Sequence, residues 1–578
     1  MRIKRFGSIG LGSVVAVSLS WAGMAFAQDA ATEEAAPAEA APAEAAPAEA
    51  APAEAKAEEG EEKVEELYVT GSRIKRMDLS TPAPVTVISR EELDASGLTS
   101  VGDILQRLPA QSNATNTKVN NGGDGSTRIN IRGLGSSRTL ILVNGRRFVP
   151  GGLGANSSVD LNSIPMSVIE RVEVLKDGAS AVYGSDAIAG VVNIITKESI
   201  EGITADAYAG MTQDGKGMTM DVNVTGGTSF DGGNVWASVG YYSQGSLMAG
   251  DRDFSQYDRE YAFGTFDELG ITSDEERVYI GGSSAPPWGW YNLTYDPENP
   301  GSEDMQAIWE TYRDAETGEI PEGTSTVVTV GEDGQLTEFN FAGSRDAPGT
   351  ELLPKGDRYN YQPDNYMLTP SDRIYAFSAG NFDIAEDTKA FFEASYTIRT
   401  GGQKLAPTPL FAAFDLPDGS IPADQPFNIL NAEVGDYRHR MVELGTRDYE
   451  NAVKTMRFVA GVEGMFGEGL GVLSGWDWGV SANYGRTDAT TKLLGNLYMN
   501  RTQHALKGCV GAEPEGAVQA SDEGEECVPY NPFPYVDANT YYYDLPENAD
   551  ELARLREYLL FEGEDKGYTT QLVGLAEM

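Results

Sequence analysis

The sequence predicts two folded parts in series: a small α+β domain over residues 80–198, then a transmembrane antiparallel β-barrel over residues 200–578. Three observations point there. Residues 80–198 mix short apolar strands with capped helices. Beyond Lys197 the texture changes to alternation of apolar and polar residues, rich in Tyr and Trp. The connections between alternating stretches are by turns short and very long, as in barrels of the bacterial outer membrane.

The amino end reads as an export signal. Arg2, Lys4 and Arg5 precede an apolar run from Ile9 to Leu19, and Ala25-Phe26-Ala27 offers a small-x-small cleavage site, so residues 1–27 are assigned as a signal peptide. The run is shorter than the roughly 20 residues a spanning helix needs, and no later apolar run reaches that length. Residues 28–63 form a linker. Within it, residues 35–54 are four identical copies of Ala-Ala-Pro-Ala-Glu, whose prolines forbid a continuous helix and whose side chains can bury no core. Extended, this like-charged spacer reaches on the order of 100 Å. At its tip, in the region 64–74, stands the strand-prone segment Glu66-Leu67-Tyr68-Val69-Thr70.

In the α+β domain, Val85 to Ile88 reads as a strand. Ser89 to Glu92 is a Ser-x-x-Glu capping box that opens a helix ending near Gly97. Ser100 can cap a second helix, Val101 to Arg107, and Gln111 to Gly125 is an Asn/Gly-rich loop expected to be mobile. Arg128 to Arg132 alternates with period two, as a half-buried strand does. Thr139 to Val143 is a strand that reaches Asn144-Gly145, a type I′ hairpin signal, and returns through Arg146-Arg147-Phe148. Ile164-Pro165 starts a short helix, Ile169 to Leu175 is a strand, Lys176-Asp177-Gly178 is a turn, and Val191 to Ile195 is the last strand.

About eight alternating strands follow: Thr204 to Gly210, Met218 to Thr225, Asn234 to Tyr242, Arg373 to Phe382, Ala390 to Ile398, Met456 to Met465, Trp478 to Arg486 and, weakly, Thr569 to Leu575. Asp231-Gly232-Gly233 and Ala385-Glu386-Asp387 are short turns, whereas one insertion runs from about residue 248 to 370 and reads as structureless. A soluble β-sandwich would explain the alternation but not loops of this length.

Five motifs in order now carry a resemblance. Ile131-Arg132-Gly133, Leu142 to Gly145, Ile169 to Leu175, Ala179 to Ser185 and Ala187 to Ile195 together closely resemble the plug domain of TonB-dependent outer-membrane receptors. Asp177-Gly178 stands where many siderophore members carry Gly-Pro, so the chain looks like the large type with diverse substrates.

The resemblance implies the rest of the functional reading. Glu66, Leu67, Tyr68, Val69 and Thr70 sit where this family carries its TonB box, which pairs with the energy-transducing partner TonB by strand addition. The alternative is that these residues are the first strand of the plug. Ligand is expected at plug loops facing the exterior, with Asn121, Asp124, Arg147 and Asn156 as candidate contacts. Trp288 and Trp290 of the first long loop could stack on a sugar or aromatic ligand. Loop self-packing or anchoring at the membrane interface is the competing reading for the tryptophans. The expected function is TonB-energised uptake of a scarce ligand, a siderophore, an oligosaccharide or similar small molecule, from a position in outer-membrane lipid. A passive porin or a surface-binding protein is the alternative.

Size adds a further expectation. A domain of about 120 residues has a diameter of roughly 35 Å, and an eight-stranded barrel holds little more than its own side chains. The family closes about 22 strands around its plug. The chain, ending at Met578, therefore looks like an amino-terminal fragment or a truncated reading frame.

Composition excludes other classes. With 43 Lys+Arg against 88 Asp+Glu and a formal charge of −45, the surface repels nucleic acid. Cys509 and Cys527, an even local pair in an exported chain, are expected to form a disulfide that clips a loop. With His439 and His504 as the only histidines, no structural metal site is expected, and no cofactor. Gly210 to Gly217 nearly matches a phosphate-binding loop but lacks the terminal Ser/Thr and lies between strands, so it reads as a hairpin turn. No catalytic motif is present in the sequence, and no enzyme activity is expected.

Overall fold

The computed structural model describes residues 85–152, 158–261, 278–345, 355–467, 471–510, 526–537 and 540–578. The signal peptide, the linker, the segment Glu66 to Thr70 and Asn156 lie outside the described residues.

The plug is built on one mixed sheet. Its strands are β1 (Val85–Ile88), β2 (Thr139–Val143), β3 (Arg146–Arg147), β4 (Ile169–Leu175) and β5 (Gly190–Thr196), in spatial order β1-β4-β5-β2-β3. β2 and β5 run parallel. Helix α1 (Arg90–Ala95) opens with the expected capping box: Ser89 Oγ accepts from the Glu92 amide at 3.3 Å, and the Glu92 carboxylate accepts from the Ser89 amide at 2.9 Å. Asn144 and Gly145 both have positive φ, 49° and 74°, as a type I′ turn requires.

Three local expectations are corrected. Helix α2 (Val101–Leu105) stops two residues early, and Ser100 does not cap it; its hydroxyl donates instead to Asn162 Oδ1 at 3.3 Å. Residues 128–132 are not a ladder strand. They meet Gln111 through one isolated bridge at Ile131 because Arg132 and Gly133, with φ of 56° and 71°, turn the chain away. The alternation still sets burial there, since Ile129 and Ile131 are both buried. Ile164-Pro165 leads only to a single 3₁₀ turn, Met166–Val168.

The barrel wall is one sheet of eight antiparallel strands: β6 (Gly202–Gly210), β7 (Thr219–Phe230), β8 (Gly233–Gln244), β9 (Ser371–Ala385), β10 (Thr388–Leu405), β11 (Arg447–Met465), β12 (Asp477–Leu497) and β13 (Leu560–Glu577). Each alternating stretch of the sequence is one of these strands, and they pair in chain order. The sheet is open, with β6 and β13 at its edges. β10 to β13 are 18 to 21 residues long, about twice what a bilayer-spanning strand needs, so they project beyond the hydrocarbon. The outward face carries an apolar belt that includes Val239, Ile374, Tyr396, Phe458, Tyr484 and Leu572, all exposed. The inward face carries Trp236, Phe377 and Ala379, which join the plug's own hydrophobic core. Lipid on one side and the plug on the other explain the period-two pattern.

The short turns, at 231–232 and 386–387, lie at one end of the wall, and all three long connections (245–370, 406–446 and 498–559) leave from the other. These loops are not structureless. Trp290–Thr294 of the first pairs with Asp436–Arg440 of the second, within a five-stranded sheet. Tyr291 and Tyr437 both donate to the Pro532 carbonyl of the third, at 2.7 and 3.2 Å. A hydrophobic core runs through all three loops, from Tyr291 and Trp309 through Tyr437 to Tyr530 and Tyr558. Cys509 and Cys527 of the third loop are disulfide-bonded, with Cα atoms 5.8 Å apart. The loops therefore fold into a cap, and the sequence concealed this because its core is assembled from residues more than 200 positions apart.

Candidate functional site between plug and wall

A cavity of about 180 Å³ opens between the plug and the wall, near the long-loop end. The plug lines it with Thr115, Gly122, Asp124, Arg128 and Gly152. The wall lines it with Asn451 and Val453 of β11 and Ala489 and Thr491 of β12. These wall residues share the inward face, and Thr491 donates to Asn451 Oδ1 at 2.7 Å.

The loop from Gln111 to Gly125, expected to be mobile, is held between Thr117 and Gly123 by β10 and by the residues just before β9. Thr117 offers its carbonyl to the Thr369 amide and hydroxyl, at 2.9 and 2.7 Å. Asn120 exchanges two hydrogen bonds with the Lys404 backbone, at 2.5 and 3.0 Å, as a strand neighbour would. Gln403 donates to the Gly123 carbonyl. The loop's far side is left free to form the cavity.

Within the cavity the electrostatics centre on one pair. Asp124 accepts from Arg128 Nη2 at 2.5 Å, from the Ser126 amide at 3.0 Å and from the Ser126 hydroxyl. Burial by itself would raise the Asp124 carboxyl, but Arg128 and Ser126 outweigh it and hold the group below its ordinary 3.8. Because the folded value is depressed, this contribution is complete above about pH 4 and is lost as pH falls through the folded value. Amide exchange of residues 122–128 is accordingly expected to stay slow down to pH 4 and to accelerate only below it; acceleration beginning near pH 6 would contradict the assignment. Arg128 Nε is buried with no acceptor among the described residues.

The residues proposed from sequence fall in different places. Asp124 lines the cavity, and Asn121 is exposed at the loop tip beside Gly122. Arg147 is not at the apex. It pairs with Asp186, donates to the Tyr183 carbonyl at 2.6 Å, and its own carbonyl accepts from Asn483 in the lower third of β12, towards the short turns. The hairpin's register against the wall sets this height, which residue type cannot reveal. Trp288 and Trp290 are buried in the cap, with Arg345 and Arg438 stacked over their rings at 4.1 and 3.9 Å. Loop self-packing is what the structure shows for them, and neither ring offers a face to solvent. Arg128, Asn451 and Thr491 were missed. Nothing in the local sequence sets them apart: Arg128 stands in a loop, and the strand neighbours of Asn451 and Thr491 are polar on both phases.

Comparison with known proteins agrees with the plug. Residues 78–191 match the model of the TonB-dependent receptor plug domain. The vitamin B12 transporter BtuB of Photobacterium profundum is 34% identical over 181 residues, which cover 31% of this chain and 28% of that protein. Among solved structures, the siderophore receptor PiuA from Acinetobacter baumannii is 16% identical with a TM-score of 0.35, covering 75% of this chain and 49% of its own. The ferric citrate transporter FecA is 13% identical with a TM-score of 0.34, covering 72% of this chain and 48% of its own. This chain thus spans about half the length, or less, of the relatives it matches. Residues 78–191 are thus a plug domain of the TonB-dependent receptor kind, seated here on the inward face of an antiparallel sheet.

Proposed function

We propose that this chain serves as an outer-membrane receptor that takes a scarce small molecule, a siderophore, an oligosaccharide or similar, into the periplasm using energy delivered by TonB. Support comes from one observation above the others: a plug fixed by buried polar contacts to the inner face of a lipid-facing wall, with a polar cavity at the end where the long loops gather. Asn121, Asp124 and Arg128 are the proposed ligand contacts, with Asn156, outside the described residues, as a further candidate. At about 180 Å³ the cavity is smaller than the 300 Å³ or more of a typical ligand pocket, so it receives an end group while the remainder of the ligand extends towards the cap. Glu66 to Thr70 are the proposed grip for TonB. The Ala/Pro/Glu linker ahead of them supplies reach, and the first 27 residues supply export.

Deleting Leu67 to Thr70 tests the reading. Cells relying on this receptor are expected to keep surface binding of ligand and to lose uptake by at least about 100-fold, because strand addition is the only mechanical link in the proposal. Uptake that persists would show a passive pore. Binding without any uptake in the intact chain would show a surface-binding protein.

A further inference from the structure

We propose that Arg399, on the inward face of β10, is a positioning residue by which the barrel wall holds the ligand-facing segment of the plug. It rests on the reading of the cavity as the ligand site. Arg399 is buried in the plug–wall contact, 2% exposed. Its Nε donates to Asp160 Oδ2 at 2.9 Å and its Nη1 donates to the Asp124 carbonyl at 3.1 Å. One guanidinium thus grips two plug segments that are 36 residues apart, and one of them carries the Asp124 carboxylate that lines the cavity.

The two segments are already tied to each other. Asp160 Oδ1 accepts from the amides of Thr127 and Asn162, both at 3.0 Å, the Leu161 amide donates to the Thr127 carbonyl at 2.9 Å, and Asn162 Nδ2 donates to the Gly125 carbonyl at 3.2 Å. They form one small polar unit inside the plug; Arg373 of β9 donates to its Asn162 carbonyl at 2.9 Å, and Arg399 makes its ion pair with the wall. The fit is tight. Gly125 has φ of +69°, and a Cβ on it would stand 2.7 Å from Arg399 Nη1. A ligand group that displaces Asp124 or Arg128 therefore moves the backbone that Arg399 holds, and the strain reaches the Asp160 ion pair directly. The planar fork of arginine is what the geometry uses: lysine could keep the charge pair with Asp160, but a single ammonium cannot also reach the Asp124 carbonyl in a second direction.

Segment-resolved hydrogen–deuterium exchange on the full chain in detergent micelles tests this without ligand. Arg399→Gln is expected to accelerate exchange at least about 10-fold in both 122–128 and 158–163, the equivalent of a lost charge-assisted hydrogen bond, while β2 and β5 keep their protection. Arg399→Lys is expected to split the effect, with 122–128 accelerated and 158–163 still slow. No change at 122–128 in the lysine protein, or equal loosening of the whole plug, would overturn the proposal. If the glutamine protein fails to assemble, the lysine protein carries the test alone. Since no ligand is involved, a chain that imports nothing yet shows the split refutes the transport reading and leaves Arg399 in its role.

Discussion

Replacing Glu393 by alanine should weaken the plug's hold on the wall by about 3–5 kcal/mol, the cost of stranding a buried partner charge. Glu393 lies on the inward face of β10 at 5% exposure. One carboxylate oxygen accepts from Arg457 Nη1 of β11 at 2.6 Å, and the other accepts from Asn144 Nδ2 of the plug at 2.7 Å. Arg146 of the plug approaches the same carboxylate at 4.0 Å and Glu463 at 3.8 Å. Arg457 itself is 3% exposed, and its Nη2 points at the Val143 carbonyl, 3.4 Å away. Without Glu393 the guanidinium keeps only weak neutral acceptors, and Asn144 loses its side-chain bond to the wall. The denaturant midpoint of plug release measures this. Removing both charges, as Glu393→Ala with Arg457→Leu, should restore part of the loss, because the unpaired ion and not the missing contact dominates. A double variant weaker than the sum of the two singles would show that the carboxylate acts otherwise.

Glu443→Ala is expected to have a comparable effect on the cap, about 2–5 kcal/mol, through a different mechanism. Glu443 is buried at the end of the second long loop with no Lys or Arg on its carboxylate among the described residues. Its oxygens accept instead from Tyr530 at 2.7 Å and Tyr541 at 2.7 Å, both in the third loop, with His439 Nε2 at 3.4 Å. Arg556 of the third loop donates to its backbone carbonyl at 2.9 Å. Alanine would leave two phenol hydroxyls and an imidazole without their acceptor, at about 1–3 kcal/mol for each buried donor. Glu443→Gln keeps one acceptor oxygen and should fall between. Calorimetry of the purified chain would resolve the two variants. Equal stability of wild type and alanine variant would mean that the loops do not depend on this junction.

How much of this was legible beforehand follows from the range of each interaction. The eight wall strands were visible because a strand between lipid and a packed interior must alternate, and alternation is a property of neighbouring residues. The capping box at Ser89 and Glu92 and the turn at Asn144-Gly145 were visible for the same reason: donor, acceptor and positive φ are set within four residues. Where a segment's partner was remote, local reading misled. Residues 128–132 have strand periodicity but no strand neighbour beyond Gln111, and the insertion after residue 248 looked structureless because its sheet partner begins at Asp436. The candidate site divides along the same line. Asp124 was found as a polar residue in a glycine-rich loop. Arg147 was misplaced in height, and Arg128, Asn451 and Thr491 were overlooked, because their convergence depends on how far the plug sits up the wall.

The sequence alone determined the kind of fold: a wall of alternating antiparallel strands preceded by a recognisable plug domain. Tertiary structure alone decided which polar groups meet. Asp160 and Arg399 are 239 residues apart and Asn144 and Glu393 are 249 apart, and a buried charge finds its partner only when two separately folded surfaces close on each other and exclude water, an event that leaves no periodicity in the chain.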